Sequence, residues 1–384
     1  MRIRVTWNWL LQLLLLVAAW ALTGCGNTPA PQRAGALHVH IYCMTSDGKS
    51  LTCDPQDRIS NFNTFVKDAL YRPGSTFTIW AVGDRSGSRR FFTACIPDHW
   101  EAPVSQKKAD FLRMAREGAA GNRPGLTAPA GCRPGPRTPP GVTKLVVFQD
   151  ASPIKSDFWQ TLTSANASGP IQHHSLVCDR SPSTLAAVCT PGSGLRVFDL
   201  WVTESLLRPG ATFSVEMVGK PRDTPDSFFQ LAVPADMPVE ERISFVLGAR
   251  VELSRLITSS GDKFASTIFE TVSAAARRLH ERSGMRRLTI LSDGLQISFG
   301  PGGFNFEKTI PQQKAFLAWI KKNGLAADLK DIPVLVFCGL PTGQSGPVGA
   351  LQATRVRDLW QKAFQSLGAP DVKLFTSCEA ALAS

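Results

Sequence analysis

Arg287-Leu288-Thr289-Ile290-Leu291-Ser292-Asp293-Gly294 is the stretch on which the fold turns. An apolar and β-branched run enters Ser-Asp-Gly directly, which is the pattern of a buried strand delivering an acidic residue at its end. Residues 264–282 upstream have helical spacing. Downstream, Pro333-Val334-Leu335-Val336-Phe337 is a second apolar run. Strand, helix and strand without strict alternation predict an α/β fold with a mainly parallel, Rossmann-like sheet flanked by helices. Ligands of such sheets meet the carboxyl ends of the strands. Asp293 and Ser292 fall at that edge. Asp-Gly also makes turns for purely local reasons.

Working outward, the chain repeats itself. Arg72-Pro73-Gly74-Ser75-Thr76-Phe77 returns as Arg208-Pro209-Gly210-Ala211-Thr212-Phe213. Phe91-Phe92 and then Pro97 return as Phe228-Phe229 and then Pro234. Phe148-Gln149-Asp150-Ala151 is echoed by Leu291-Ser292-Asp293-Gly294. An internal duplication into two α/β units follows from that order. The first strand of the first unit is the alternating run 37–42. The spacing places the first strand of the second unit at Leu195–Thr203. The preceding residues 168–194, with His173, His174, Cys178 and Cys189, read as a loop. Residues 25–36 are a tether, 37–167 the first, degenerate unit, and 168–384 the second and more complete one. Residues 312–322 and 356–364 add helices, and 372–375 an edge strand.

The first 24 residues have a basic start and an apolar stretch too short to span a membrane comfortably. They end in Leu22-Thr23-Gly24-Cys25, which resembles the lipobox of bacterial lipoproteins. The resemblance implies cleavage before Cys25 and lipid on that residue. Gly26 at the next position leans the address towards the outer membrane, facing the periplasm. In that oxidising compartment an even set of cysteines favours disulfides. Cys43 and Cys53, and Cys178 and Cys189, are near in sequence. Cys95 with Cys132 and Cys338 with Cys378 would complete the set, although spacing does not fix connectivity. The formal charge of +11 would suit nucleic acid in another compartment. At this address it suits anionic lipid, glycan or a protein partner instead.

The order strand, helix, strand, strand, helix, helix, strand-Asp-Gly, helix, strand, helix resembles the von Willebrand factor type A fold. In that family the first strand ends in Asp-x-Ser-x-Ser, a later loop adds a threonine, and the Ser-Asp-Gly strand adds an Asp. Together they hold Mg or another divalent cation, which oxygen ligands suit. With the first strand at Leu195–Thr203, the resemblance maps Asp199, Thr203 and Asp293 onto the metal site. Trp201 stands where a serine is required. Ser259, Ser260 or Thr267 would supply the loop hydroxyl. Asp150 and Ser152 mark the corresponding binding edge of the first unit, where Tyr42 replaces the Asp.

The resemblance implies a non-catalytic, envelope-anchored module that docks a protein or glycan through the carboxyl ends of its strands. A two-lobed solute-binding protein is the alternative, and a hydrolase a more distant one. His173-His174 could in principle serve as base, and no Gly-x-Ser-x-Gly turn accompanies it.

Overall fold

The computed structural model describes residues 36–44, 53–69, 72, 74–83, 89–96, 113, 116–117, 141–148, 170–180, 188–219, 228–259, 267–298, 303–341 and 349–379. The chain forms two mainly parallel sheets. Sheet 1 holds β1 (Ala36–Met44), β2 (Thr76–Val82), β3 (Arg89–Cys95) and β4 (Gly141–Phe148), in the order β3-β2-β1-β4. Sheet 2 holds β5 (Gln172–Cys178), β6 (Thr212–Met217), β7 (Phe228–Ala232), β8 (Met285–Leu291), β9 (Val334–Cys338) and β10 (Val372–Phe375), in the order β10-β9-β8-β5-β6-β7. In each sheet a single antiparallel pairing, β2 with β3 and β6 with β7, closes one edge. The helices are α1 (Pro55–Ala69), α2 (Pro191–Ser205), α3 (Val239–Ser259), α4 (Ile268–His280), α5 (Gln313–Lys322) and α6 (Ala350–Ser366).

Sheet 2 therefore begins at β5, inside the segment that reads as a loop, and Leu195–Thr203 is helix rather than strand. The cause of the helix is local. Thr190 is its N-cap: its Oγ1 accepts from Ser193 N (3.2 Å), while Ser193 Oγ accepts from Thr190 N (2.9 Å). Pro191 opens the first turn, where its missing N–H costs nothing. Val197, Phe198, Trp201, Val202 and Ser205 are the buried face, a helical spacing that β-branched and aromatic residues had disguised. Strand β5 is the opposite case. It is central, yet Gln172-His173-His174-Ser175 is polar. Cross-strand bonds satisfy it: His173 Nδ1 to Thr212 Oγ1 (2.8 Å), His174 Nε2 to Thr289 Oγ1 (2.9 Å), and Ser214 Oγ donating to Ser175 Oγ (3.0 Å).

The two Arg-Pro-Gly segments lead into the same sheet position, β2 and β6. Gly74 and Gly210 both have positive φ, 77° and 83°. Gly74 N donates to Ile96 O and Gly210 N to Val233 O, and the return bonds run from Ile96 N to Ser75 O and from Val233 N to Ala211 O. The bridge of His173 to Thr212 has its counterpart in His38 Nδ1 and Thr76 Oγ1, 2.9 Å apart.

The layers follow from the alternation along the strands. Leu37, Val39 and Ile41 of β1 pack with Phe62 and Phe65 of α1. On the opposite face of sheet 1, Tyr42, Trp80 and Val82 join the core formed by sheet 2, α2 and α3, and Tyr42 Oη donates to Glu240 O (3.1 Å). The far face of sheet 2 is covered by α4, α5 and α6. Helix α3 thus serves both sheets.

Candidate functional site

Three disulfides close the carboxyl ends of the strands: Cys43–Cys53 after β1, Cys178–Cys189 after β5, and Cys338–Cys378 between β9 and the segment after β10. Cys95 is also disulfide-bonded; Cys132, the partner expected from the sequence, lies outside the described residues, as do Cys25, Asp150 and Ser152.

The geometry of the sheet-2 edge starts from the pairing of β5 and β8, in which Cys178 is opposite Leu291. Asp179 follows Cys178, and its N–H donates to Leu291 O (2.9 Å). Ser292 follows Leu291, and its Oγ donates to Asp179 Oδ2 at 2.6 Å. Next comes Asp293. Its Oδ1 accepts from Leu295 N (2.9 Å), while its Oδ2 is buried without a hydrogen-bond partner. Both carboxylates are nearly inaccessible, with exposures of 4% and 3%. A buried carboxylate oxygen left unpaired costs free energy.

Two further residues shape the edge. Gly294 has φ 75°, and a Cβ there would come within 2.7 Å of Leu340 Cδ2. Gly339 has φ 97°, and its Cβ would meet Val188 Cγ1 at 2.3 Å and Ser292 O at 2.8 Å. Helix α4 points its N-terminus at the same region: Phe269 N donates to Gln296 Oε1 (2.8 Å), just past Asp293. Thr267 caps α4 without a side-chain hydrogen bond to it.

Of the metal set expected from the sequence, only Asp293 lies at a strand end. Asp199 sits in the middle of α2, where Arg250 of α3 grips it with two bonds: Nε to Oδ1 at 2.8 Å and Nη2 to Oδ2 at 3.0 Å. Burial pushes the Asp199 carboxyl up from its usual value, and the Arg250 hydrogen bonds and charge oppose that. Thr203 is exposed on α2 and donates to Asp199 O (2.9 Å). Both are corrections to the sequence reading, and both follow from taking a helix for the first strand. Of the other hydroxyls considered, Ser259 ends α3 and Ser260 lies outside the described residues.

The residue missed was Asp179. Once β5 is the first strand, the chain beyond it reads Asp179-Arg180-Ser181-Pro182-Ser183, the Asp-x-Ser-x-Ser spacing that Asp199 failed to supply. A usable signal was present. Counting back without a gap from the two Arg-Pro-Gly turns aligns Cys53 with Cys189. The paired cysteines Cys43 and Cys178 then both end first strands. In the first unit Met44 stands where Asp179 stands in the second. Among the described residues no cluster of three His, Cys, Asp or Glu side chains occurs.

The histidine pair is inside the sheet, not in a loop. Both nitrogens of His173 are engaged, Nδ1 by Thr212 and Nε2 by Ser283 O (3.0 Å). Desolvation holds His174 well below the usual imidazole value, with Arg287 adding to the shift. Desolvation also lowers His173, against the Ser283 hydrogen bond and together with Arg282 and Arg286. The unfolded chain binds protons at the ordinary value of 6.5, and the folded chain does not. Stability is therefore complete above that pH and falls as pH drops below it. Urea denaturation at pH 7.5 and pH 5 should show a lower midpoint at pH 5, with the difference reduced in His174→Gln; equal differences in both proteins would refute the assignment.

No protein-family model matches the chain, and no curated protein matches it. Among solved structures, 57% of the chain is similar to the pilus adhesin SpaC from Lactobacillus rhamnosus GG in its open conformation, at 12% identity and a TM-score of 0.34. That likeness spans 29% of the adhesin's own length, less than a third. Proximal thread matrix protein 1 from the mussel byssus is similar over 91% of the chain and 94% of its own length, at 11% identity and a TM-score of 0.26.

Proposed function

We propose that the chain is an envelope-anchored, non-catalytic docking module, lipidated at Cys25 and built from two copies of a von Willebrand factor type A-like unit. Its partner is an envelope protein, met at the carboxyl edge of sheet 2. The observation that carries the reading is the edge itself: Asp179 and Asp293 at the ends of neighbouring strands, with Asp293 Oδ2 buried and unpartnered. Hard oxygen donors of this kind fit Mg or a similar ion, which binds through one or two carboxylates and keeps several waters. Asp293 would hold the ion through Oδ2. Asp179 would face it in the orientation that Ser292 imposes. Ser181 and Ser183 complete the spacing in the sequence. A divalent ion bound there would offer an exchangeable coordination position to an acidic group of the partner.

The element order of the second unit, β5-α2-β6-β7-α3-α4-β8-α5-β9-α6, supports the type A reading. The matching Arg-Pro-Gly turns and His–Thr bridges support the duplication. The contact between the units is filled by Tyr42, Trp80 and Val82 against the α2–α3 core, which counts against a two-lobed solute-binding protein. The burial of His173 and His174 counts against a hydrolase that uses them as base.

Capture of partners from cross-linked envelopes tests the reading. Asp179→Asn and Asp293→Asn should each lose the partner that the unaltered chain retains, and a chelator should remove it from the unaltered chain. Retention of the same partner in both variants, with or without chelator, would overturn it.

A further inference from the structure

The third disulfide differs from the other two. Cys43–Cys53 and Cys178–Cys189 each close the loop after the first strand of a sheet, and all four cysteines are buried. Cys338–Cys378 ties the end of β9 to the segment after β10, and sheet 1 has no counterpart of either strand among the described residues. Cys338 is buried. Cys378 is only half-buried, between exposed Ser377 and Glu379. A reductant therefore reaches this bridge more readily than the other two, and accessible disulfides are the labile ones.

Two lines of contact run from the bridge to the candidate site. Cys338 O accepts from Ser292 N (3.1 Å), and Ser292 Oγ donates to Asp179 Oδ2. Leu340 N donates to Phe375 O (3.2 Å), and the Leu340 side chain lies against Gly294. Little else holds the far end. Strand β10 has four residues, stands at the sheet edge beside β9, and has no fully buried side chain. Glu379 comes within 3.8 Å of Arg196, but their side chains are 83% and 49% exposed, so that ion pair contributes little. A short edge strand with so few buried groups opens locally once its covalent tie is cut.

We propose that Cys338–Cys378 is a redox latch on sheet 2. Its reduction frees β10, loosens Leu340 and the adjoining ends of β8 and β9, and weakens cation binding at Asp179 and Asp293. The last step rests on the cation reading given above, and the earlier ones do not. The reductant is a dithiol. Its thiolate attacks Cys378 Sγ, the S–S bond breaks, and Cys338 leaves as a thiolate that takes up a proton. The second thiol of the reductant then displaces Cys378. The protein gains two electrons and two protons, and the reductant becomes a disulfide.

Graded reduction of the full chain with dithiothreitol, followed by differential alkylation and peptide mass spectrometry, tests the first step. Cys338 and Cys378 should be labelled before Cys43, Cys53, Cys178 and Cys189. In the chain carrying Cys338→Ser with Cys378→Ser, the amides of Ser292 and Leu340 should exchange faster while those of β5 and β6 hold. The dissociation constant for Mn²⁺ should rise about tenfold. Reduction of this bridge no sooner than the other two, unchanged exchange at Ser292 and Leu340, or an unchanged affinity in a chain that binds Mn²⁺ would overturn the latch. If the oxidised chain binds no Mn²⁺, the cation reading fails, and labelling and exchange still decide the latch.

Discussion

Replacing Arg250 by alanine should destabilise the second unit by about 3–5 kcal/mol, because it strands a charge in the interior. Asp199 and Arg250 join α2 to α3 with side-chain exposures of only 6% and 13%. Burial pushes the Asp199 carboxyl up, and the two hydrogen bonds and the charge of Arg250 oppose that. Removal of one partner leaves that desolvation unopposed. Removal of both, as Asp199→Leu with Arg250→Met, should restore stability to within about 1–2 kcal/mol of the original, since a buried pair contributes little over packed apolar groups. Urea midpoints of the single and double variants measure this. A loss below about 1 kcal/mol in Arg250→Ala would show that water reaches the pair.

The second large effect is expected at Trp360, where the core meets the candidate site. Its ring lies within 5.3 Å of both Phe337 and Phe364, centroid to centroid, and 5.8 Å from Phe316. Its Nε1 donates to Gly294 O at 3.0 Å, next to Asp293. Trp360→Ala should cost about 3–5 kcal/mol from the cavity alone. Trp360→Phe keeps most of the bulk and removes one of two donors to Gly294 O, which retains Gln296 N at 3.1 Å, so it should cost only about 0.5–1.5 kcal/mol. Amide exchange distinguishes a general loss from a local one. In Trp360→Phe, the amides of Gly294 and Leu295 should exchange faster while those of β5 and β6 hold. Unchanged exchange at Gly294 would mean that the indole bond does not fix the strand end.

Much of the second unit was legible because its chemistry is the ordinary kind. The apolar runs of β8 and β9 could only be buried strands, and Asp293 fell at the edge they imply. Helices α5 and α6 and strand β10 were written in apolar spacing and in the glycines at 324 and 368, whose φ values are positive. What misled was polarity at the centre. Strand β5 carries two histidines and a serine because neighbouring strands supply Thr212, Thr289 and Ser214 as partners, and no pattern within residues 172–178 announces partners 39 to 115 residues away. Helix α2 misled in the other direction, since Val197, Phe198, Trp201 and Val202 favour strands locally and only the Thr190-Pro191-Gly192-Ser193 cap declares the helix. That exchange put the expected first-strand Asp at Asp199 in α2 instead of after β5. Counting back one element further, to the paired cysteines, would have placed the first strand at β5.

A titration of the full chain with Mn²⁺, read by electron paramagnetic resonance, most directly tests the cation proposed at the ends of β5 and β8. One bound ion per chain is expected, lost in Asp179→Asn and in Asp293→Asn and retained in Thr203→Ala on the exposed face of α2. No bound ion in the unaltered chain, or binding that survives both aspartate substitutions, would contradict it.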